Sequence, residues 1–246
     1  MSVLFISDLH LDPIRPAVTA LLLDFLKQQG RQADALYILG DLFEAWIGDD
    51  DDAELGQAVT KALRVLTNCG VATYFLHGNR DFLIGERFAA ASGIQLLPES
   101  VAIELAGEQV LLLHGDILCT DDVEYQAFRA QVRTPAWQVR TLALPLEQRR
   151  ALAGQLRETS QQASQKKTAG ITDVNEVEVD RVMRIYGVHR LIHGHTHRPA
   201  IHNWSLDGQP AQRMVLGDWY RQGSVLYRDA AGWRLESLFE SGAVQQ

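Results

Sequence analysis

Short apolar runs that end abruptly in metal-ligating residues are the feature that most constrains this chain. The first run, Val3–Ser7, is followed by Asp8 and His10. An apolar run of this length with a polar boundary predicts a buried strand, although periodicity alone also allows a buried helix. Ligands in open α/β sheets bind at the carboxyl ends of the strands. Asp8 and His10 are therefore placed to begin a metal site.

The same arrangement recurs four more times, where an apolar run closes on glycine beside Asp, Asn or His. These later motifs are Gly40-Asp41, Gly78-Asn79-Arg80-Asp81, His114-Gly115-Asp116 and Gly194-His195-Thr196-His197. Glycine lets the backbone turn sharply and approach its neighbours closely. One such motif carries a high false-positive risk. Five strand ends that each carry suitable ligand types together predict one common site.

Oxygen and imidazole ligands without thiolate favour manganese, iron or zinc over calcium. Seven ligands exceed the need of one ion, so two ions that share one carboxylate are predicted. The first ion would be held by Asp8, His10, Asp41 and His197, and the second by Asp41, Asn79, His114 and His195. Two ions about 3.5–4 Å apart can bridge a hydroxide and hold a phosphoryl oxygen. The histidines interpreted as structural are His77, His189 and His193.

Between these motifs, the apolar spacing predicts alternating helices and strands. A helix is predicted over Pro16–Gln29, and the strands Val101–Leu105 and Gln109–Leu113 are predicted to form a hairpin that turns at Gly107-Glu108. The acidic run Asp49–Asp52 is interpreted as the solvated start of the next helix, where negative charge suits the helix dipole. A metal site there is less favoured, because adjacent carboxylates without spaced partners are a weak signal.

The pattern becomes strand-free and helical over residues 121–170, which predicts a helical cap inserted into a core of residues 1–120 and 171–246. One face of its last helix carries Arg157, Ser160, Ser164 and Lys167, which lie within a stripe about 80° wide. These four hydrogen-bond donors are termed the donor stripe. Spacing alone leaves open whether this stripe is a solvated face or a phosphate- or sugar-binding surface. After the cap, Asp173 is predicted to begin a helix. The tail strands between Ala200 and Leu238 are predicted to form a second sheet packed on the first.

Composition narrows the function further. The 246-residue chain has a formal charge of −8, which argues against a general nucleic-acid surface. Its two cysteines form no CxxC pair, so neither a disulfide framework nor a thiolate zinc site is expected. No stretch approaches the roughly 18 apolar residues of a spanning helix, and no signal peptide is recognised. A cytoplasmic protein that can rest on a membrane surface is expected.

Taken together, the five motifs resemble the calcineurin-like metallophosphoesterase superfamily. Within it, Gly40–Asp50, Gly78–Asp81, Asp121-Asp122 and Ile171–Asn175 are similar to the family of diphosphatases that act on UDP-2,3-diacylglucosamine in lipid A biosynthesis. This resemblance covers essentially the full length. It implies an α/β (α+β) fold, namely a four-layer αββα sandwich of two mixed sheets with an inserted helical cap. It also implies two Mn²⁺ ions per chain.

The resemblance further implies hydrolysis of the pyrophosphate bond of UDP-2,3-diacylglucosamine to UMP and 2,3-diacylglucosamine 1-phosphate (lipid X). The catalytic residues it suggests are Asp41, Asn79, Arg80 and His114. The substrate-binding residues it suggests are Asn79, Arg80, Asp122, Ser160, Ser164, Lys167 and His195, to which the donor stripe adds Arg157.

Arg80 stands where many members of the superfamily carry a histidine that acts as general acid. A sugar 1-phosphate leaves as an anion whose conjugate acid has a pKa near 6, so it needs no proton at neutral pH. A fixed cation that stabilises the transferring phosphoryl group is then sufficient. Arg80 therefore favours a pyrophosphate bond over a phosphomonoester. We hypothesise that a hydroxide bridging the two ions attacks the α-phosphorus, with Arg80 as an electrostatic clamp.

Three other functions remain as alternatives: a general nucleotide pyrophosphatase or phosphodiesterase of the same superfamily, a metal-free binding scaffold, and a nuclease, which the acidic charge disfavours. A diacylated substrate implies peripheral contact with the cytoplasmic face of the bacterial inner membrane. The apolar cap residues, with Trp46 and Phe82, are expected to hold acyl chains as well as the cap itself. A monomer that does not bind nucleic acid is expected.

Overall fold

Two facing β-sheets form the centre of the protein. The structure is a computed structural model that describes residues 2–167, 170–221 and 223–238, apart from the side chains of Gln161, Ser164, Gln165 and Lys166. Its strands are β1 (Val3–Ile6), β2 (Ala35–Ile38), β3 (Ala72–Phe75), β4 (Gln95–Leu96), β5 (Ser100–Leu105), β6 (Glu108–Leu113), β7 (Arg190–His193), β8 (Ala200–Leu206), β9 (Gln209–Val215), β10 (Ser224–Asp229) and β11 (Gly232–Ser237). Its α-helices are α1 (Pro16–Gln28), α2 (Glu54–Asn68), α3 (Glu86–Ser92), α4 (Val123–Val132), α5 (Pro135–Leu142), α6 (Leu146–Lys166) and α7 (Glu176–Tyr186).

Both sheets are mixed. The first has the strand order β11-β10-β1-β2-β3-β4, in which β1 to β4 run parallel and β10 pairs antiparallel with β1. The second has the order β5-β6-β7-β9-β8, with β6, β7 and β9 parallel. Parallel strands covered on both faces are expected to be almost wholly apolar, which is why the predicted strand runs show no polar alternation.

Three apolar clusters define four layers. Because successive side chains of a strand point to opposite faces, Val3 and Phe5 of β1 pack between the sheets against the second sheet, whereas Leu4 and Ile6 pack on the other side against α1 and α2. The outer face of the second sheet packs against α7. The observed order is helix, sheet, sheet, helix, so the predicted αββα sandwich is confirmed.

The predicted arrangement of the tail is wrong in one respect. The strands β8 and β9 join the second sheet, but β10 and β11 add to the edge of the first sheet beside β1. The local pattern of a strand does not encode which sheet it joins, since that depends on partners far away in sequence. The hairpin prediction also shifts slightly: Ala106 and Gly107 occupy the turn in the left-handed region, and Glu108 begins β6.

The predicted start of the helix after the cap is also wrong. The side chain of Asn175, rather than that of Asp173, caps α7 by accepting a hydrogen bond from the backbone N–H of Glu178 at 3.1 Å. Asp173 instead forms an ion pair with Arg198. Both Asn and Asp are good N-caps, and these two lie only two positions apart, so composition could not separate them.

The acidic run Asp49–Asp52 is not a solvated helix start. Asp49 accepts hydrogen bonds from the backbone N–H groups of Gly85 and Phe88 at the start of α3. The carboxylates of the rest of the run pair with α6, since Asp50 binds Arg149 and the next two residues bind Arg150. The helix α2 begins only at Glu54, with Ala53 as its N-cap. The run therefore connects the core to two other helices.

Over residues 121–167 and at residue 170, the structure contains helices and turns and no strand. Arg149 of α6 is almost fully buried and donates to the backbone carbonyls of Ile47 and Leu144 as well as to Asp50. This contact fixes one end of α6 to the core. The division into a core and an inserted cap at the boundaries given above remains a prediction. Among the described residues, no helix combines the length and apolar character that a membrane crossing requires.

Candidate active site

The strand ends bring the seven predicted metal ligands to one edge of the sandwich. A continuous series of contacts joins their side chains: His10 Nε2 to His197 Nε2 at 3.2 Å, His197 Nε2 to Asp8 Oδ1 at 3.2 Å, His10 Nε2 to Asp41 Oδ2 at 3.6 Å, His114 Nε2 to Asp41 Oδ2 at 3.6 Å, His114 Nε2 to Asn79 Oδ1 at 2.9 Å, and His195 Nδ1 to Asn79 Oδ1 at 2.8 Å. The residues that the sequence pattern groups together are therefore neighbours in space.

Asp41 lies at the middle of this series. Among the described residues, donor atoms within 4.8 Å of one another form two groups, Asp8-His10-His197 and Asp8-Asp41-His114. Asp8 belongs to both groups, while a single oxygen of Asp41 lies at equal distance from His10 and His114. Either carboxylate is thus close enough to both groups to be shared, and the geometry is compatible with the predicted sharing of Asp41.

Backbone strain is concentrated at this edge. Among the described residues, seven that are not glycine have a positive φ, and five of these are predicted ligands. These five are Asp8, His10, Asp41, His195 and His197, with φ between 47° and 67°. A left-handed backbone at such residues costs on the order of 1–3 kcal/mol each, and it persists only where the surroundings fix it. The left-handed backbone turns the chain sharply at the strand ends, so that the five side chains point toward one place.

Two glycines make the close approach of these side chains sterically feasible. A Cβ on Gly78 would lie 2.1 Å from Asp41 Oδ1, and a Cβ on Gly194 would lie 2.1 Å from Asp8 Oδ2. Such distances essentially never occur, so any larger residue would displace a carboxylate or its loop. The glycines of the motifs are therefore explained by contact between neighbouring loops.

Hydrogen-bond contacts orient two of the imidazoles, and a carboxylate lies beside a third. The Nδ1 atom lies 2.8 Å from the Leu39 carbonyl oxygen in His114, 3.1 Å from the Tyr220 hydroxyl in His197, and 3.3 Å from a Glu44 carboxylate oxygen in His10. In each case Nε2 faces the carboxylates of the site. Metal-ligating histidines are typically oriented in this way by a partner on the other ring nitrogen. Sequence reasoning missed both Glu44 and Tyr220, although a carboxylate inside the apolar stretch after Asp41 was a usable signal.

The charge states at the site also suit a cation. Burial, together with the nearby charge of His114, lowers the pKa of His195 to about 4, so its ring is neutral at pH 7. Burial alone would raise the pKa of Asp8, but His197 beside it brings that pKa below its ordinary range. Metal ligands must be deprotonated, and Asp8 and His195 meet that requirement. Burial lowers the pKa values of His114 and His197, but neighbouring carboxylates outweigh it and raise both pKa values overall, so the crowded negative charge of this edge attracts a cation, either a proton or a metal ion. The residues present therefore fit a divalent metal centre.

Asp81 connects two of the loops from beneath. Its fully buried carboxylate accepts hydrogen bonds from the backbone N–H groups of Gly78 at 2.9 Å, Leu42 at 2.7 Å and Asp41 at 3.3 Å. The backbone N–H of Arg80 in turn donates to Asp41 Oδ1 at 2.8 Å. These hydrogen bonds hold the loops after β2 and β3 in fixed positions relative to each other.

A cavity of about 510 Å³ opens directly over the metal-ligand edge. Polar residues that line it include Asn79, Arg80 and Asp122 together with cationic side chains of the helical segment. The larger apolar residues that line it, together termed the apolar wall, include Trp46, Phe82, Leu83, Phe128, Trp137, Leu152 and Leu156. The cavity can therefore accept a ligand that has both anionic and apolar parts.

The donor stripe faces this cavity. Arg157, Ser160 and Lys167 all line it, although Lys167 lies one residue beyond the end of α6. The hydroxyl of Ser160 accepts a hydrogen bond from the Arg80 guanidinium at 3.3 Å. The side chain of Ser164 lies outside the part of the chain that the structure describes. Of the histidines interpreted as structural, none lines the cavity, and His193 and His77 contact backbone carbonyl oxygens.

Comparison with known proteins finds one family model that matches most of the chain and relatives that match nearly all of it. The family model of calcineurin-like phosphoesterases matches residues 1–199. A UDP-2,3-diacylglucosamine hydrolase of Stenotrophomonas maltophilia is 55% identical over 97% of this chain and 99% of its own length. Enzymes of the same name from Xanthomonas oryzae and Xanthomonas axonopodis are each 54% identical over the same shares. A solved archaeal phosphodiesterase aligns over 97% of this chain and all of its own length, at 12% identity and a TM-score of 0.49.

We expect Gly78→Ala to weaken Mn²⁺ binding at least about tenfold, because the new Cβ would displace the carboxylate of Asp41 and misplaced ligation typically costs 10–100-fold in affinity. Gly154→Ala is the matched control, since a Cβ at this position of α6 meets nothing within 4 Å. Calorimetric titration of the purified variants with Mn²⁺ measures the difference. Equal affinities of Gly78→Ala and the unaltered protein would contradict the close approach described above.

Proposed function

Because this chain belongs to the calcineurin-like phosphoesterase family, we propose that it hydrolyses the pyrophosphate bond of UDP-2,3-diacylglucosamine, giving UMP and 2,3-diacylglucosamine 1-phosphate. The observation that carries this proposal is the cavity, which predicted metal ligands, cationic side chains and the large apolar side chains of the apolar wall line together. A diphosphate that bears two acyl chains has this same combination of charged and apolar parts. The full-length match to relatives named for this substrate supports the proposal.

We infer that the cofactor is a pair of Mn²⁺ ions, one held by Asp8, His10, Asp41 and His197 and the other by Asp41, Asn79, His114 and His195. The mixed oxygen and imidazole donors support manganese over calcium. When bound, two such ions supply an activated water and stabilise charge on the phosphoryl oxygens. The protein contributes the strained backbone, the neutral imidazole of His195 and the hydrogen-bond contacts that orient two of the other rings.

The surroundings of Arg80 support its proposed role as an electrostatic clamp. Arg80 follows Asn79, its guanidinium donates to the Ser160 hydroxyl, and its Nε is buried without a hydrogen-bond partner among the described residues. A phosphoryl oxygen of the substrate would supply that partner. Because the departing sugar phosphate needs no proton at neutral pH, a fixed cation that neutralises developing charge is sufficient. Substrate contacts by Asp122, Ser160, Ser164, Lys167, His195 and Arg157 belong to the same proposal.

We further propose that residues 121–170 act as a cap on a core of residues 1–120 and 171–246, and that the apolar wall holds the acyl chains. A substrate of this kind resides in a bilayer, so the enzyme would bind peripherally to the cytoplasmic face of the inner membrane. A monomer is sufficient for this function, since every proposed contact comes from one chain.

A general nucleotide pyrophosphatase is the alternative function, and the apolar wall of the cavity does not favour it. Such an enzyme would cleave soluble UDP-glucose and the diacylated substrate with comparable kcat/KM. The proposed function predicts a kcat/KM for UDP-glucose that is lower by several orders of magnitude.

Removal of the metal should abolish UMP release from UDP-2,3-diacylglucosamine, because in the proposed mechanism the bound ions supply the activated water. Treatment with a chelator, followed by metal analysis and a UMP assay, tests this, and added Mn²⁺ should restore the rate. Release that continues after verified removal of the metal would rule out the proposed mechanism.

Hydrolysis in oxygen-18 water should place the label in UMP, because the proposed attack occurs at the phosphorus bonded to uridine. Mass spectrometry of both products reads the outcome directly. Label in the 2,3-diacylglucosamine 1-phosphate would instead mean attack at the other phosphorus.

Arg80→Ala should lower kcat by about 10²–10³-fold, the range observed when one preorganised charge-stabilising group is removed. Arg140→Ala is the matched control, because Arg140 is exposed on α5 and does not line the cavity. Steady-state kinetics of both variants at saturating Mn²⁺ provide the comparison. An Arg80→Ala enzyme with an unchanged kcat would remove Arg80 from the proposed catalytic residues.

A further inference from the structure

A carboxylate outside the proposed ligand set lies behind the donor stripe. Asp12 follows His10 by two residues in the loop after β1, and its side chain is almost fully buried. One of its oxygens accepts a hydrogen bond from the backbone N–H of Ile14 at 3.0 Å. This bond fixes the carboxylate on the rigid sheet edge. The other oxygen is left to face α6.

That second oxygen binds Arg157. The Nη1 atom of Arg157 donates to Asp12 Oδ2 at 2.9 Å, across 145 residues of sequence. The side chain of Arg157 is 38% exposed, whereas that of Asp12 is only 10% exposed. The pair therefore has a fixed, buried carboxylate on one side and a cation that faces the cavity on the other.

Most of the guanidinium of Arg157 remains available. A guanidinium has five N–H donors in a fixed planar arrangement, and Asp12 accepts from one nitrogen. No other hydrogen bond of this guanidinium occurs among the described residues. A phosphate in the cavity could therefore bind the remaining N–H donors while Asp12 keeps the hydrogen bond that it accepts from Arg157. Asp12 is thus a support for Arg157 and not a competitor of the phosphate.

Support by Asp12 should raise the affinity of the cavity for a phosphate, because Arg157 then loses less entropy on binding and its positive charge is already in place. Ordering a flexible side chain on binding typically costs about 0.5–1.5 kcal/mol, and Arg157 held by Asp12 is ordered beforehand. The same contact joins α6 to the metal-ligand edge and so sets the distance between the cation and the reacting phosphate.

We propose that Asp12 is a positioning residue that holds the Arg157 guanidinium toward a phosphate of the substrate. This proposal rests on the proposed function, because it assigns Arg157 a phosphate as its ligand. Asp12 itself contacts neither substrate nor metal.

The test is the binding of UMP and of glucosamine 1-phosphate, measured by calorimetry on the Mn²⁺-loaded protein. Asp12→Asn should weaken binding of at least one of these phosphates about three- to tenfold, the range that corresponds to the ordering cost. The phosphate affected identifies the end of the diphosphate that Arg157 holds. With the full substrate, KM should rise by a similar factor while kcat stays nearly unchanged. Asp12→Glu, which keeps the charge, should recover part of the affinity.

Two controls separate this role from a structural one. Asp52→Asn removes a carboxylate that tethers α6 through Arg150, and it should leave both phosphate affinities unchanged. In the Arg157→Ala background, Asp12→Asn should cause no further loss, because the two residues act as a unit.

Unaltered or tighter phosphate binding by Asp12→Asn would overturn the proposal, and so would weaker Mn²⁺ binding by that variant or an equal loss in Asp52→Asn. These binding measurements do not depend on turnover. A protein that fails to hydrolyse UDP-2,3-diacylglucosamine but shows the expected loss would refute the proposed function and leave the role of Asp12 intact.

Discussion

The close approach of Asp41 to His10 and His114 is the contact on which the rest of the site depends. Carboxylate, amide and imidazole side chains of five separate loops lie within a few ångströms of one another, fully or partly buried, and this crowding has a cost in backbone strain. The strain appears as left-handed backbone at five predicted ligands. Gly78 and Gly194 have no Cβ atom, and a Cβ at either position would collide with a carboxylate. Hydrogen bonds from the loops to the buried Asp81 offset part of the remaining cost.

A second constraint is the attachment of α6 to this edge. Ion pairs connect the helix to the core at three successive points, through Arg149, Arg150 and Arg157. Cationic and apolar side chains of the helix thereby line the cavity together with predicted metal ligands. A cavity with both kinds of lining suits a substrate that combines a diphosphate with acyl chains. The substrate preference proposed for this chain thus has its physical origin in how α6 is tethered.

The parts of the fold that local physics determines were predictable from the sequence. Doubly buried strands read as apolar runs, and strand ends of a parallel sheet meet at one edge, so the convergence of Asp8, Asp41 and His114 followed from pattern alone. Contacts that depend on distant partners did not. The pairing of β10 with β1, the binding of Asp49 to α3 and the ion pair between Asp12 and Arg157 join residues that no local pattern relates. The roles of the individual site residues remain predictions.

Anomalous diffraction from crystals grown with Mn²⁺ would locate the metal ions directly. If Asp41 is the shared ligand, two peaks about 3.5–4 Å apart are expected, with the carboxylate of Asp41 between them and His10 and His114 on opposite sides. A single peak, or a pair of ions that Asp41 does not contact, would refute the shared-carboxylate site.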